Sequence, residues 1–336
     1  MFKAQIKAAE AKATAPFDTY DSILERPSGT DPNQNAWLTL QLRIQLKFAD
    51  SKNQVTNLTV SDSSGKFYAR DHDGYLFPLL DWPAHLITRF QKEFIKVAER
   101  TWNWQFLLKT PGNYSELDYQ TGNLTIRPNV LCLFRMSLIG PSGGLFDPSP
   151  AAGPLRTGPP HRIINVVNIS LSTNQVKLAP GITPTATKPA TKTIAKVEGL
   201  TWRSDASNYD DSDLFNPSWW NPEHTVLSNT VGHEVGHALG QCHIMGLKGI
   251  AAYKFGGANA NDPPAYGVGS SDPLDVMNVM GGGNRLYLLN AVSWQERIAL
   301  HTGLTANQWA ATGIMETPTR KMSAALTATG LAPAVW

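Results

Sequence analysis

Residues 231–243 read VGHEVGHALGQCH, and here three imidazoles and a carboxylate stand at a spacing chemistry can use: His233, Glu234, His237 and His243, with Gly240 three residues before the last. Four residues make slightly more than one helical turn, so on a helix His233 and His237 lie one above the other and offer two ring nitrogens to one ion. Two ligands are not a site, because a catalytic zinc takes three protein ligands and leaves the fourth place to water. His243 cannot be the third on an unbroken helix, since ten residues displace it by about 15 Å along the axis. The chain has to turn, and Gly240 is the residue that reaches the left-handed backbone region at a helix end without steric cost. Glu234 points about 100° away from His233 around the helix. That keeps it out of the ligand shell and suits it to act as general base, then general acid, on a metal-bound water.

Any one histidine on a buried helix face is ordinarily a core residue; the joint spacing is what marks these three. HEVGHALGQCH resembles the extended zinc motif of the metzincin metallopeptidases, closest in local wording to the matrixin-like branch and its bacterial relatives. The resemblance implies a zinc-dependent endopeptidase that hydrolyses peptide bonds in protein or peptide substrates through a zinc-bound water activated by Glu234. One catalytic Zn2+ would be held by His233, His237 and His243. It also implies a methionine turn under the zinc, for which Met280 in NVMGG is the choice because Gly281-Gly282-Gly283 follows it, with Met277 in DVMNV as the alternative. The implied fold is α+β, with a twisted mixed β-sheet, a backing helix, the zinc-binding active-site helix and a C-terminal helix. Ile244 stands after the third histidine, where the well-known subfamilies carry a diagnostic polar residue or proline, so no subfamily is assigned. The positions two residues after the methionines are Val279 and Gly282, not tyrosine, and no cysteine-bearing prosegment is recognised.

The elements that must position this stretch are partly visible. LTLQLRIQLKF at 38–48 alternates throughout and predicts a strand with one wet face. LDWPAHLITRFQKEFIKVAERTWNW predicts a long amphipathic helix from about Pro83 to Trp102, with Asp81 as its cap. The runs at 129–139 and 162–172 read as further strands. The zinc helix is expected to start at Asn221-Pro222-Glu223 and end at Gly240. NAVSWQERIALHTG at 290–303 predicts a last helix burying Val292, Gln295, Ile298 and Ala299 or Thr302. The expected organisation is an N-terminal arm over 1–36, a metzincin-like catalytic domain over 37–305 with loop insertions near 140–160 and 179–195, and a tail over 306–336.

Composition narrows the rest. With 336 residues, 42% of them hydrophobic, the chain can bury a sizeable core. Twenty-nine basic against 27 acidic residues and no block of like charge give no sign of nucleic-acid binding. No run of 18 apolar residues predicts a membrane span, and the N-terminus lacks the apolar run of a secretory signal. A cytoplasmic place and export by a signal-independent route both stay open, as do the oligomeric state and a bridge between Cys132 and Cys242. The missing signal and prosegment also keep open a metal-loaded effector or binding module that does not cut its target; a hydrolase of cell-wall peptide cross-links is a third reading. Cys242 and His224 are read as bystanders, and the acidic loop with Asp205, Asp210, Asp211 and Asp213 lacks the fixed spacing that would support calcium. Tyr253, Tyr266 and Tyr287 are candidates for the cleft wall, and Trp219-Trp220 for core or cleft filling.

Overall fold

A computed structural model of the chain describes residues 5–10, 20–26, 34–51, 59–70, 74–140, 145–146, 158–168, 175–193, 208–210 and 230–313, with the strand path alone at 5–10, 145–146 and 208–210. The first half carries β1 (Gln5–Glu10), β2 (Asp21–Glu25), β3 (Ala36–Ala49), β4 (Thr59–Ser61), β5 (Phe67–Arg70), β6 (Tyr75–Pro78), α1 (Ala84–Trp102), β7 (Phe106–Leu108), the hairpin β8 (Tyr119–Thr121) and β9 (Leu124–Ile126), and β10 (Val130–Ile139). The second half carries β11 (Leu145–Phe146), β12 (Arg162–Val167), β13 (Gln175–Leu178), β14 (Thr191–Thr193), β15 (Asn208–Asp210), α2 (Thr230–Ala238), α3 (Ile244–Leu247), α4 (Pro273–Met277), α5 (Val292–Thr302) and β16 (Ala311–Gly313). The class is α+β, with mixed sheets and few helices. No helix among the described residues is long and apolar enough to cross a membrane.

β3 organises the larger, nine-stranded sheet. Along one edge it pairs in parallel with β10; along the other it pairs antiparallel with β2 and then parallel with β12. The alternating run is a strand as expected, but its polar face is not wet: Thr39, Gln41 and Arg43 are buried, and Lys47 near the end is exposed. Strands flanked by parallel neighbours are commonly covered on both faces. Arg43 meets the cost of burial by pairing with Asp21 and donating Nε–H to the Pro159 carbonyl at 2.9 Å. The expected arm over 1–36 is corrected in the same place, because Tyr20 is buried and β2 lies between β1 and β3 with all five residues buried. DSILE is too short to show a period, so its position comes from partners on both edges. The tail begins later than expected too: Trp309 is fully buried and β16 pairs with β7.

On one face of this sheet the leucines of β3 and Cys132, Phe134 and Met136 of β10 meet Phe90, Phe94, Ala98 and Trp102 of α1 in the main core, which also takes in Val235, Met280 and Trp294. β10 pairs with β7 only at Val130 and Leu131, and side chains occupy the edge beyond. Asn103 Oδ1 accepts from Phe134 N–H and Glu99 Oε1 from Met136 N–H, both at 3.0 Å, while Trp294 Nε1–H donates to the Leu133 carbonyl at 3.0 Å. Buried strand groups left unpaired would be costly, so these contacts clamp α1 and α5 to the sheet. α1 has Pro83 as its N-cap with no side-chain cap; Asp81 instead accepts from Ser51 Oγ and, through its carbonyl, from Asn168 at 2.9 Å.

The smaller sheet, in the order β14-β13-β6-β5-β4, has its own core around Ala69, Tyr75, Phe77 and Val176. It takes in both ends of the segment 179–195 expected as a loosely packed insertion, since Ile182 packs over Gly74 at the front and the exposed β14 near the back pairs with β13. The insertion near 140–160 lies mostly outside the described residues. α5 keeps its expected span and ends at Gly303 in the left-handed conformation, but its buried face is Ser293, Trp294, Arg297, Ile298 and His301. The shift has a cause the helix period cannot show: α5 lies against the neighbourhood of β2, with Arg297 over the Tyr20 ring at 3.8 Å and His301 Nε2 at 2.9 Å from Ser22 Oγ.

Candidate metal centre

The expected start of the zinc helix at Asn221-Pro222-Glu223 lies outside the described residues. Its described part runs Thr230–Ala238 and ends in a Schellman motif: Gly240 N–H donates to the His237 carbonyl and Gln241 N–H to the Gly236 carbonyl, both at 3.0 Å, with Gly240 at φ +83°. Gly236 lets this helix approach its neighbours closely. A Cβ there would stand 2.8 Å from Trp102 Cζ2, 3.2 Å from Met280 Cε and closer still to Met280 Sδ. Trp102 Nε1–H donates to the Gly232 carbonyl at 2.9 Å, tying α2 to α1.

After the turn, His243 comes back toward the helix face. One ring nitrogen from each of His233, His237 and His243 lies within 4.8 Å of the other two, and His237 Nε2 is 3.2 Å from His243 Nε2. All three Nδ1 atoms face backbone carbonyls: His233 that of Val279 at 2.6 Å, His237 that of Gln241 at 2.7 Å, His243 that of Ala260 at 2.6 Å. A carbonyl can only accept, so each Nδ1 carries the hydrogen, and in the neutral ring Nε2 is then the atom that keeps a lone pair. Burial pushes His233 down to about 4, and burial together with the two neighbouring rings holds His237 well below the usual imidazole range. In their neutral form three imidazoles this close, two with their Nε2 atoms 3.2 Å apart, are the donor set a divalent ion such as zinc takes. The residues present therefore fit the metal.

Glu234 is buried beside this cluster but outside it, with Oε1 4.0 Å from His233 Nε2. Of the two methionines, Met280 is fully buried against Gly236 and its carbonyl accepts from Ile244 N–H at 2.9 Å; Met277 is half-buried at the end of α4. Among the three tyrosines the structure brings Tyr266 to the site, its ring 3.7 Å from that of His243 and stacked at 5.8 Å on His233, while Phe255 meets His237 edge-on at 5.7 Å. Both cysteines are free, and Cys242 is not in the cluster. His224, Trp219-Trp220 and most of the acidic loop lie outside the described residues.

Sequence reading passes over four buried polar residues joined to one another by hydrogen bonds: Gln241, Asn278, Asn290 and Ser293. One of them has a local signature. Asn278 Oδ1 accepts from Met280 N–H at 2.7 Å, the two-residue reach that asparagine side chains make in turns.

No protein-family model, curated protein or solved structure matches the chain. Its fold thus defines the α+β class, and its site defines a three-histidine cluster with an adjacent buried carboxylate.

Proposed function

We propose that this chain is a zinc-dependent endopeptidase of the metzincin type, with His233, His237 and His243 holding one zinc ion and Glu234 as general base. The observation that supports it is the shared arrangement: three rings each commit Nδ1–H to a backbone carbonyl, and one ring nitrogen of each lies within 4.8 Å of the other two. Zinc held there supplies Lewis acidity, polarising a peptide carbonyl and lowering the pKa of a bound water to about 7.

The chain's own residues do the rest. Glu234, next to His233 in sequence but turned about 100° around the helix, takes the proton of the attacking water as its oxygen bonds to the carbonyl carbon. As the carbon–nitrogen bond breaks, the same carboxyl passes that proton to the leaving amine nitrogen, which balances the hydrolysis. Met280 and Trp102 back the helix that carries His233 and His237, so the rings are held from behind as well as by their carbonyls. The purified protein should carry about one zinc per chain, and Glu234→Gln should keep the metal while losing about 10²–10⁴-fold in cleavage of a peptide library. Wild-type cleavage by Glu234→Gln, or a wild-type chain that takes up no metal, overturns the reading.

A further inference from the structure

The polar residues that the motif does not explain are joined into one bridge. Gln241, Asn278 and Asn290 are fully buried. Gln241 Nε2 donates to the Asn290 carbonyl at 2.8 Å and to Ser293 Oγ at 3.0 Å, and its Oε1 accepts from Asn290 Nδ2 at 3.1 Å. Asn290 Oδ1 accepts from Asn278 Nδ2 at 2.8 Å and from Tyr287 N–H at 2.9 Å. Asn278 Oδ1 accepts from Met280 N–H, and Ser293 Oγ donates to the Leu239 carbonyl at 2.9 Å. Both ends of all three amides are used, so turning any one over would set donor against donor.

The two ends of this bridge are where two of the three rings take their orientation. Gln241 itself supplies the carbonyl that receives His237 Nδ1–H. The carbonyl that receives His233 Nδ1–H belongs to Val279, the residue between Asn278 and Met280. Asn290, which has no hydrogen bond to any of the rings, is the residue bonded to both ends.

We propose that the Gln241–Asn290–Asn278 bridge is the positioning device of the metal centre. It fixes the carbonyls of Gln241 and Val279 relative to each other, and through them the tautomer and tilt of His237 and His233. This rests on the zinc reading of the histidine cluster. Groups that orient metal-ligating histidines typically govern about 10–100-fold in metal affinity. A bridge that merely filled the core would lower the stability of the whole chain and leave the affinity of the folded protein alone.

The test uses cobalt(II), whose visible bands report the geometry of a histidine site, on the full chain. Gln241→Met, which keeps side-chain length and removes the amide, and Asn290→Ala are compared with Val166→Ala, a buried change in β12. Affinity is read by chelator competition, geometry from the cobalt bands, and stability from denaturant unfolding of the metal-free protein. The expected result is a 10–100-fold loss of cobalt affinity with altered bands for the two bridge variants and neither change for Val166→Ala. Bridge variants that bind cobalt with wild-type affinity and spectrum, whatever their stability, overturn the inference while leaving the zinc reading intact. Failure of the wild-type chain itself to bind cobalt through its histidines sinks the zinc reading and this inference with it. Should Asn290→Ala not fold, Gln241→Met alone decides.

Discussion

Gly236 stands between His233 and His237, and Gly236→Ala sets two effects of opposite sign against each other. Helix propensity favours alanine by about 1 kcal/mol. Packing opposes it, because the new methyl would lie 2.8 Å from Trp102 Cζ2 and 3.2 Å from Met280 Cε, nearer still to Sδ. Carbon atoms at rest sit about 3.5–4.0 Å apart, so the methyl overlaps both neighbours. Met280 has a flexible end and can rotate aside. Trp102 is fully buried and cannot move without straining its bond to the Gly232 carbonyl and its contact with Trp294 at 6.3 Å. Overpacking costs about 1–3 kcal/mol, and a clash against a pinned indole belongs in the upper half of that range. The net expectation is a loss of about 1–2 kcal/mol. Urea unfolding of wild type, Gly236→Ala, Trp102→Phe and the double variant measures it, and the double variant, which lacks the indole atom the methyl meets, should lose less than the sum of the singles by about 1 kcal/mol or more. A Gly236→Ala protein as stable as wild type, or stabilised by the full helix term, would refute the idea that this glycine exists for close approach.

Gly240 at φ +83° carries the turn that returns His243, so Gly240→Ala should cost about 1–2 kcal/mol in urea unfolding and weaken zinc binding together with it; unchanged stability would mean the turn does not depend on glycine. Tyr114, buried beside Trp309 and near the Glu116 carboxylate, has its phenol pushed up to about 12, first by burial and then by that carboxylate. The folded phenol therefore keeps its proton where the unfolded one, near 10, gives it up. Stability should fall as pH rises from about 10 to 12, and Tyr114→Phe should flatten that part of the melting profile. Equal declines in both proteins would assign the loss to other groups.

What the sequence could show was local. The helix period places His233 above His237, and a lone glycine before His243 marks the break, so the cluster is legible from thirteen consecutive residues. The strand at Ala36–Ala49 and the helix at Ala84–Trp102 were legible for the same reason: each carries its own period over many residues. β2 was not, because five residues without a pattern acquire strand form only from neighbours on both edges. Nor was the buried polar face of β3, since alternation reports residue type and says nothing of what lies against Arg43. The period does not show the buried face of α5, because Arg297 and His301 are polar by type while Tyr20 and Ser22 lie against them. Tyr266 could not be chosen over Tyr253 and Tyr287 without the path of the chain after His243.

The division has a physical basis that bears on how such a site is built. Carbonyls in helices and sheets are already spent on their own ladders, so a ring N–H that needs a backbone acceptor finds one only where the backbone is irregular. The three acceptors here follow that rule: Gln241 lies in the helix-ending turn, Ala260 in the loop after the third histidine, and Val279 in the turn before Met280. The helix thus sets the spacing of two of the histidines, while loops set the orientation of all three rings. Loops hold that orientation only if they are themselves tied, here by Ile244 N–H to the Met280 carbonyl, by the Asn278 turn and by the amides reaching from Gln241 to Asn290. A chain with the same HEVGHALGQCH wording but without those ties would place three histidines near one another and leave their tautomers and tilts unsettled.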